Sequence, residues 1–143
     1  MLEVLPIQSK TEQEAECARC GVPYDVNCMA YHALVDGVLT GVCQFKMNDK
    51  GGFIRSLAVV QGVSLPDRDR IESLFVMGRA TLNFIDLCGV HKAWFEDADF
   101  ARGHKGLVES IGFEQQDDGT WFMDLAGFFV EPCKHHKGCP TSE

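Results

Sequence analysis

Residues 53–97 read as an apolar strand (FIRSLAVV), a polar turn, a long amphipathic helix and a second strand (KAWFE), and this order constrains the chain more than any other feature. Ile71, Leu74, Phe75, Gly78, Leu82 and Ile85 recur on one helical face. Met77, Thr81, Phe84 and Cys88 widen that face as it would be widened for a sheet, and Gly89 is placed to end the helix. The spacing predicts a helix over residues 71–87 inside a β-α-β unit. In many small α/β proteins that unit holds a phosphate-bearing ligand at the helix N-terminus. Here the turn, residues 61–70, is not glycine-rich.

The flanking segments supply the rest of one sheet. Residues 2–7 form a first strand, and residues 11–20 a helix with Ser9 or Thr11 as N-cap and Gly21 past its end. Two apolar runs, 29–35 and 38–47, enclose Asp36-Gly37, a strong hairpin signal, and the turn 48–52 leads into strand 53–60. Residues 90–96 make a fifth strand, 101–110 a short helix, and 112–115 and 120–129 a closing hairpin around Asp117-Asp118-Gly119. The expected architecture is one α/β domain over residues 1–130. It has a mixed, mainly antiparallel sheet, a central βαβ crossover and helices on both faces. Residues 131–143 form a polar tail carrying Cys and His.

A chain of 143 residues, 45% hydrophobic and 24% charged, suits one core and not two. Its net charge of −8 repels nucleic acid, and no apolar run approaches the roughly 20 residues of a membrane span. The start of the chain has no basic segment followed by an apolar one, so the expected compartment is the cytoplasm. Seven cysteines are an odd number, and Cys43 and Cys88 fall in apolar runs, which favours free thiols. Cys133, His135, His136 and Cys139, together with Cys17 and Cys20, offer zinc-type ligands, but their spacing matches no known finger and no metal is assigned. Trp94 with Phe95, and Trp121 with Phe122, alternate along strands, so that one of each pair faces the core and the other a cleft wall or partner.

The order of meander, crossover, helix and final hairpin resembles the GNAT N-acetyltransferase family. LAVV at residues 57–60 resembles that family's fourth strand, and LVESIGFEQQDDGTWFMDL at residues 107–125 is similar to its closing helix, Gly-Phe step and last hairpin. The resemblance implies acetyl-CoA, with its pyrophosphate on backbone N–H groups before the central helix. Its pantetheine arm would lie along residues 57–60, in a V-shaped opening between the fourth and fifth strands. It further implies direct attack of an amine on the thioester in a ternary complex, the acceptor being a small molecule or a peptide amine. The family's Arg/Gln-x-x-Gly-x-Gly/Ala pattern is absent, and with a helix starting at Ile71 its two glycine positions hold Arg70 and Glu72.

The positions assigned to the cofactor on this basis are Val59, Val60, Arg68 and Arg70, the two arginines as side-chain phosphate contacts or else as partners of Asp67 and Asp69. Glu96 is the candidate base, with Asp97, Asp99 and His104 as alternatives. The family's acidic tyrosine is replaced by Val108, and its asparagine by Ala101. Two other readings stand beside the transferase: a non-catalytic ligand-binding or regulatory module of the same fold, and a thiol or zinc protein. A homodimer is left open. The transferase reading requires strands 53–60 and 90–96 to lie side by side and then splay apart.

Overall fold

Asp36 and Gly37 both adopt positive φ, 52° and 83°, the backbone of a tight two-residue hairpin whose twist matches that of its strands. They join β2 (Met29–Val35) to β3 (Val38–Asn48) in antiparallel register. Asn48 then accepts hydrogen bonds from the N–H groups of Lys50 and Gly51 and turns the chain into β4 (Gly51–Val59). The computed structural model describes residues 1–129. Its single sheet has seven strands, adding β1 (Leu2–Pro6), β5 (Lys92–Phe95), β6 (Glu114–Gln115) and β7 (Trp121–Asp124) in the order β1-β2-β3-β4-β5-β7-β6. Only β4 and β5 run parallel, which is the consequence of the helical crossover between them.

Helices cover both faces. On one side, α1 (Lys10–Arg19) starts at Ser9, whose hydroxyl accepts the Glu12 N–H at 3.1 Å, and buries Cys17 and Cys20 against Ala30, Val42 and Val60. On the other side α2 (Asp67–Leu87) packs Leu74, Met77, Leu82 and Ile85 into the main core. The approach is close because glycines face the helix. A Cβ on Gly52 would lie 2.7 Å from the Ile85 side chain, and one on Gly41 would lie 2.7 Å from Met77. Two short helices follow β5, α3 (Ala98–Gly103) and α4 (Lys105–Ile111). Arg79 on α2 donates to the carbonyls of Ile111 and Ser110 at 2.7 and 3.0 Å, pinning the carbonyl end of α4 where a cation is favoured.

Several expectations from sequence are revised. The central helix begins at Asp67 rather than Ile71: Pro66 serves as N-cap, and Asp67 and Asp69 in the first turn favour the positive end of the helix dipole. Ile71 is 48% exposed, and Ser73 takes a buried place, hydrogen-bonded to Thr40 at 2.8 Å. The single helix expected over residues 101–110 is two, because Gly103 and the extended His104 (φ −139°) interrupt it, while the Asp97 carboxylate caps α3 through the Phe100 N–H. Cys43 is buried as expected, but Cys88, the residue capping the C-terminus of α2, is exposed. Phe95 and Trp121 face the core, and Trp94 and Phe122 the opposite side, as their alternation requires. No helix among the described residues is long and apolar enough to cross a membrane. Cys133, His135, His136 and Cys139 lie outside the described residues.

Two stability effects follow. Gly52→Ala forces its new methyl into Ile85, and overpacking of this kind costs about 1–3 kcal/mol, read as a lowered denaturation midpoint. Burial also pushes up the thiols of Cys17 and Cys28, each to about 11, and of Cys20 and Cys43, each to about 12. Below an ordinary thiol pKa near 9.0 both folded and unfolded chains hold these protons. Above it the unfolded chain releases them first, so stability falls as pH rises from 9 towards the folded values. Denaturation midpoints in reducing buffer are expected to fall over that window, less steeply for Cys20→Ala.

Candidate active site

Strands β4 and β5 pair only at Gly52 with Ala93, Phe53 with Trp94 and Ile54 with Phe95. The Glu96 N–H closes the ladder on the Ile54 carbonyl at 2.8 Å; β5 stops at Phe95, while β4 continues to Val59. Beyond that point the two strands part. A register shift in the β3–β4 ladder marks the same place. Ile54 opposes Phe45 and Ser56 opposes Gln44, leaving Arg55 as the extra residue of a bulge. Bulges bend a strand and re-aim its side chains. Further along, the Val60 N–H donates to Thr40 at 2.9 Å, so by the two-residue alternation of an antiparallel ladder the peptide groups of Leu57 and Val59 turn away from β3 and into the opening.

The bulge delivers Arg55 to the mouth of the opening. Its guanidinium lies 3.4 Å from Glu96 and 3.5 Å from Asp25, spanning from the end of β5 to the loop between α1 and β2. The Asn27 backbone N–H, with the Cys28 thiol and Arg55 as further contributors, holds the Asp25 carboxyl below the usual carboxylate range. Beneath them lies a buried amide. Gln44, fully buried on β3, donates to the Pro23 carbonyl at 2.8 Å and to Ser56 Oγ at 3.0 Å. Its oxygen accepts from Gln13 at 2.9 Å and from the Asp25 N–H at 3.0 Å. All four hydrogen-bonding capacities of the side chain are used, and through them the loop is fastened to the sheet.

Two cavities open beside this bridge. One, about 780 Å³, lies between the loop residues Val22 to Asn27 and the segment Glu96 to Asp99. The other, about 640 Å³, lies between Phe53, Trp94 and the β6–β7 turn at Asp118 to Thr120. Arg55, Glu96 and Ala98 line both, and each volume is in the range of small-molecule sites.

The residues singled out from sequence are distributed unevenly around this opening. Glu96 stands at its apex, and the Val59 peptide lines it, with its carbonyl held by Gln61 Nε2 at 3.0 Å. Val60 points its amide to β3 and its side chain into the α1 core. Arg68 and Arg70 lie in the first turns of α2, paired with Glu72 at 3.7 Å and Asp67 at 2.9 Å. Asp97 and Asp99 line the larger cavity, Asp97 spending an oxygen on the α3 cap and Asp99 paired with Arg102. His104 stacks on Phe100 and lines neither cavity. Val108 and Ala101 are fully buried. Cys17 and Cys20 are sealed in the α1 core. The sequence reading missed Arg55, Asp25, Gln44 and Ser56, although a lone arginine within the apolar run FIRSLAVV was a visible signal.

The outward peptide groups of Leu57 and Val59 offer one wall of the opening the hydrogen-bonding pattern that the amides of a pantetheine arm would need. At the start of α2, Pro66 brings no side-chain cap to the first N–H groups, and Arg68, 85% exposed, and Arg70 stand beside Asp67 and Asp69. The carboxylates paired with these arginines lie at the surface, where such pairs are worth about 0–1 kcal/mol.

No family model matches this sequence, and neither does any curated protein. Solved structures do match in shape. The Bacillus subtilis acetyltransferase in complex with CoA superposes with a TM-score of 0.65 at 12% identity, covering 87% of this chain and 99% of its own. The ribosomal-protein-S18-alanine N-acetyltransferase of Escherichia coli gives 0.63 at 12% identity, over 87% and 94% of the two chains. An acetyltransferase of the GNAT family from Staphylococcus aureus Mu50 gives 0.61 at 7% identity, over 87% and 99%. At such identities the likeness is one of architecture, and it establishes that this chain has the GNAT fold.

Proposed function

We propose that this protein is an acyl-CoA-dependent N-acetyltransferase that moves an acetyl group directly to the amine of a small molecule or peptide. One observation carries the reading: β4 and β5 part beyond Ile54, with the Glu96 carboxylate at the apex of the gap. That gap has an extended backbone on one wall and a proton acceptor at its closed end. The peptide groups of Leu57 and Val59 hold the donor's amides as an added strand would, and Arg68 and Arg70 meet its phosphates. Val60 supports this wall from behind by anchoring to Thr40.

Glu96, reached directly or through one water, takes the proton that the attacking amine must lose. The N–C bond forms as the C–S bond breaks, the electron pair leaves on sulfur, and the thiolate takes its proton from water. A thiol of pKa about 8.5 leaves without a strong acid beside it, which is consistent with the apolar Val108 where a tyrosine was sought. Arg55 is a positioning residue, steering the Glu96 carboxylate against Asp25.

A non-catalytic binding module of the same fold is the second reading, favoured by Asp67 and Asp69 in the first turn of α2. Thermal shift separates them. Acetyl-CoA at about 100 times its Kd adds roughly 2.7 kcal/mol of stability if it binds the folded state alone. Glu96→Gln is expected to keep that shift and to lower kcat by about 10²–10⁴ in a thiol-release assay. Absence of both shift and thiol release leaves the binding module.

A further inference from the structure

The α1 side of the sheet carries a row of aromatic rings leading to Glu96. Phe53 on β4 stacks on Trp94 of β5 at 5.3 Å between centroids and 14° between planes, and Trp94 meets Phe122 of β7 at 5.0 Å. All three are half-buried. α1 packs over Ala30, Val42 and Val60, toward the other end of the sheet. Gly51 leaves room for the Trp94 ring, since a Cβ there would stand 2.6 Å from it. Strand parity puts Glu96 on the same face as Trp94, and the bulge keeps Arg55 on the same face as Phe53.

The cavities beside the row are mainly acidic, while Lys46, cross-strand from Phe53, and Lys92, two residues before Trp94, share the face on the side of the row away from Glu96. Asp25, Glu96, Asp97, Asp99 and Asp118 line the two cavities, against a single guanidinium, that of Arg55. An anionic acceptor is repelled by these carboxylates, and a cation is drawn to them. Aromatic walls of the 640 Å³ cavity beside a carboxylate thus present two separate demands on one molecule, an aromatic body and a cationic head.

We infer that the acceptor is a primary amine carried on an aromatic body, its ring seated on Phe53 and Trp94 and its ammonium directed to Glu96. This rests on the transferase reading for its chemistry but not for its binding. The ammonium loses one proton to water on entering the reactive form, and the neutral amine then follows the transfer already described, with Glu96 taking the second proton.

The full chain is tested with four probes of defined shape and charge: 2-phenylethylamine, n-hexylamine, spermidine and 3-phenylpropionate. Binding is followed by tryptophan fluorescence without donor, and transfer by thiol release with acetyl-CoA. The expected result is that 2-phenylethylamine binds at least tenfold more tightly than n-hexylamine or spermidine, with no binding of 3-phenylpropionate. Read as KM in the transfer assay, Trp94→Leu should erase that preference, raising KM for 2-phenylethylamine about tenfold and that for n-hexylamine by much less, and Trp94→Phe should restore most of it. Equal use of all three amines, or a preference for spermidine, overturns the aromatic body while leaving the transferase reading intact. Saturable binding of 2-phenylethylamine with no acetyl-CoA shift and no thiol release upholds the aromatic-amine site and overturns its role as acceptor together with the transferase. Concentration-dependent dimerisation that buries Trp94 and blocks every amine overturns the inference, since the row is then a contact between copies.

Discussion

A slip of one residue in the ladder between β3 and β4 underlies the whole of this site. With Arg55 bulged out, β4 turns from β5 after three paired residues, and the sheet that is continuous at its base becomes two diverging sheets at its top. An unsatisfied backbone would make such a gap costly in a buried setting, and here the gap lies beside two open cavities, where such groups can reach solvent. The same slip carries a cation into a place where two carboxylates from distant segments meet it. Shape and electrostatics of the opening thus have a single origin.

The scaffold holding that slip is mainly apolar on the α2 side and joins an apolar cluster to a polar network on the α1 side. Under α2, glycines at 41 and 52 and the aliphatic face of the helix give close packing with little room for adjustment. Above the opposite face, Gln13, Gln44 and Ser56 form a buried network with no unsatisfied side-chain atom among the described residues. A satisfied network of this kind fixes one arrangement where an apolar contact would permit several.

Most of the fold was legible in the sequence. Asp36-Gly37, the apolar periodicity of the central helix and the Gly112-Phe113 step each rest on local physics, and each appears where local rules put it. What escaped were features set by long-range contact. The early start of α2 at Asp67 was hidden because its first turn has no apolar face to announce it. The bulge at Arg55 depends on pairing with a strand ten residues away, and Gln44 reads as an ordinary polar residue until three other segments converge on it. Glu96 could be named because it ends a strand, whereas its relation to Arg55 required the sheet.

The fastening of the α1–β2 loop has an evolutionary corollary. Gln44 and Gln13 grip it entirely through main-chain atoms: the carbonyls of Pro23, Asp25 and Cys28 and the N–H of Asp25. Side chains at Val22, Tyr24, Val26 and Asn27 take no part in that grip, although they face the larger cavity. Val22 and Tyr24 also pack on the α1 core, whereas Val26 and Asn27 are exposed, so descendants of this chain could diversify what they accept by editing those two letters while inheriting the interior unchanged.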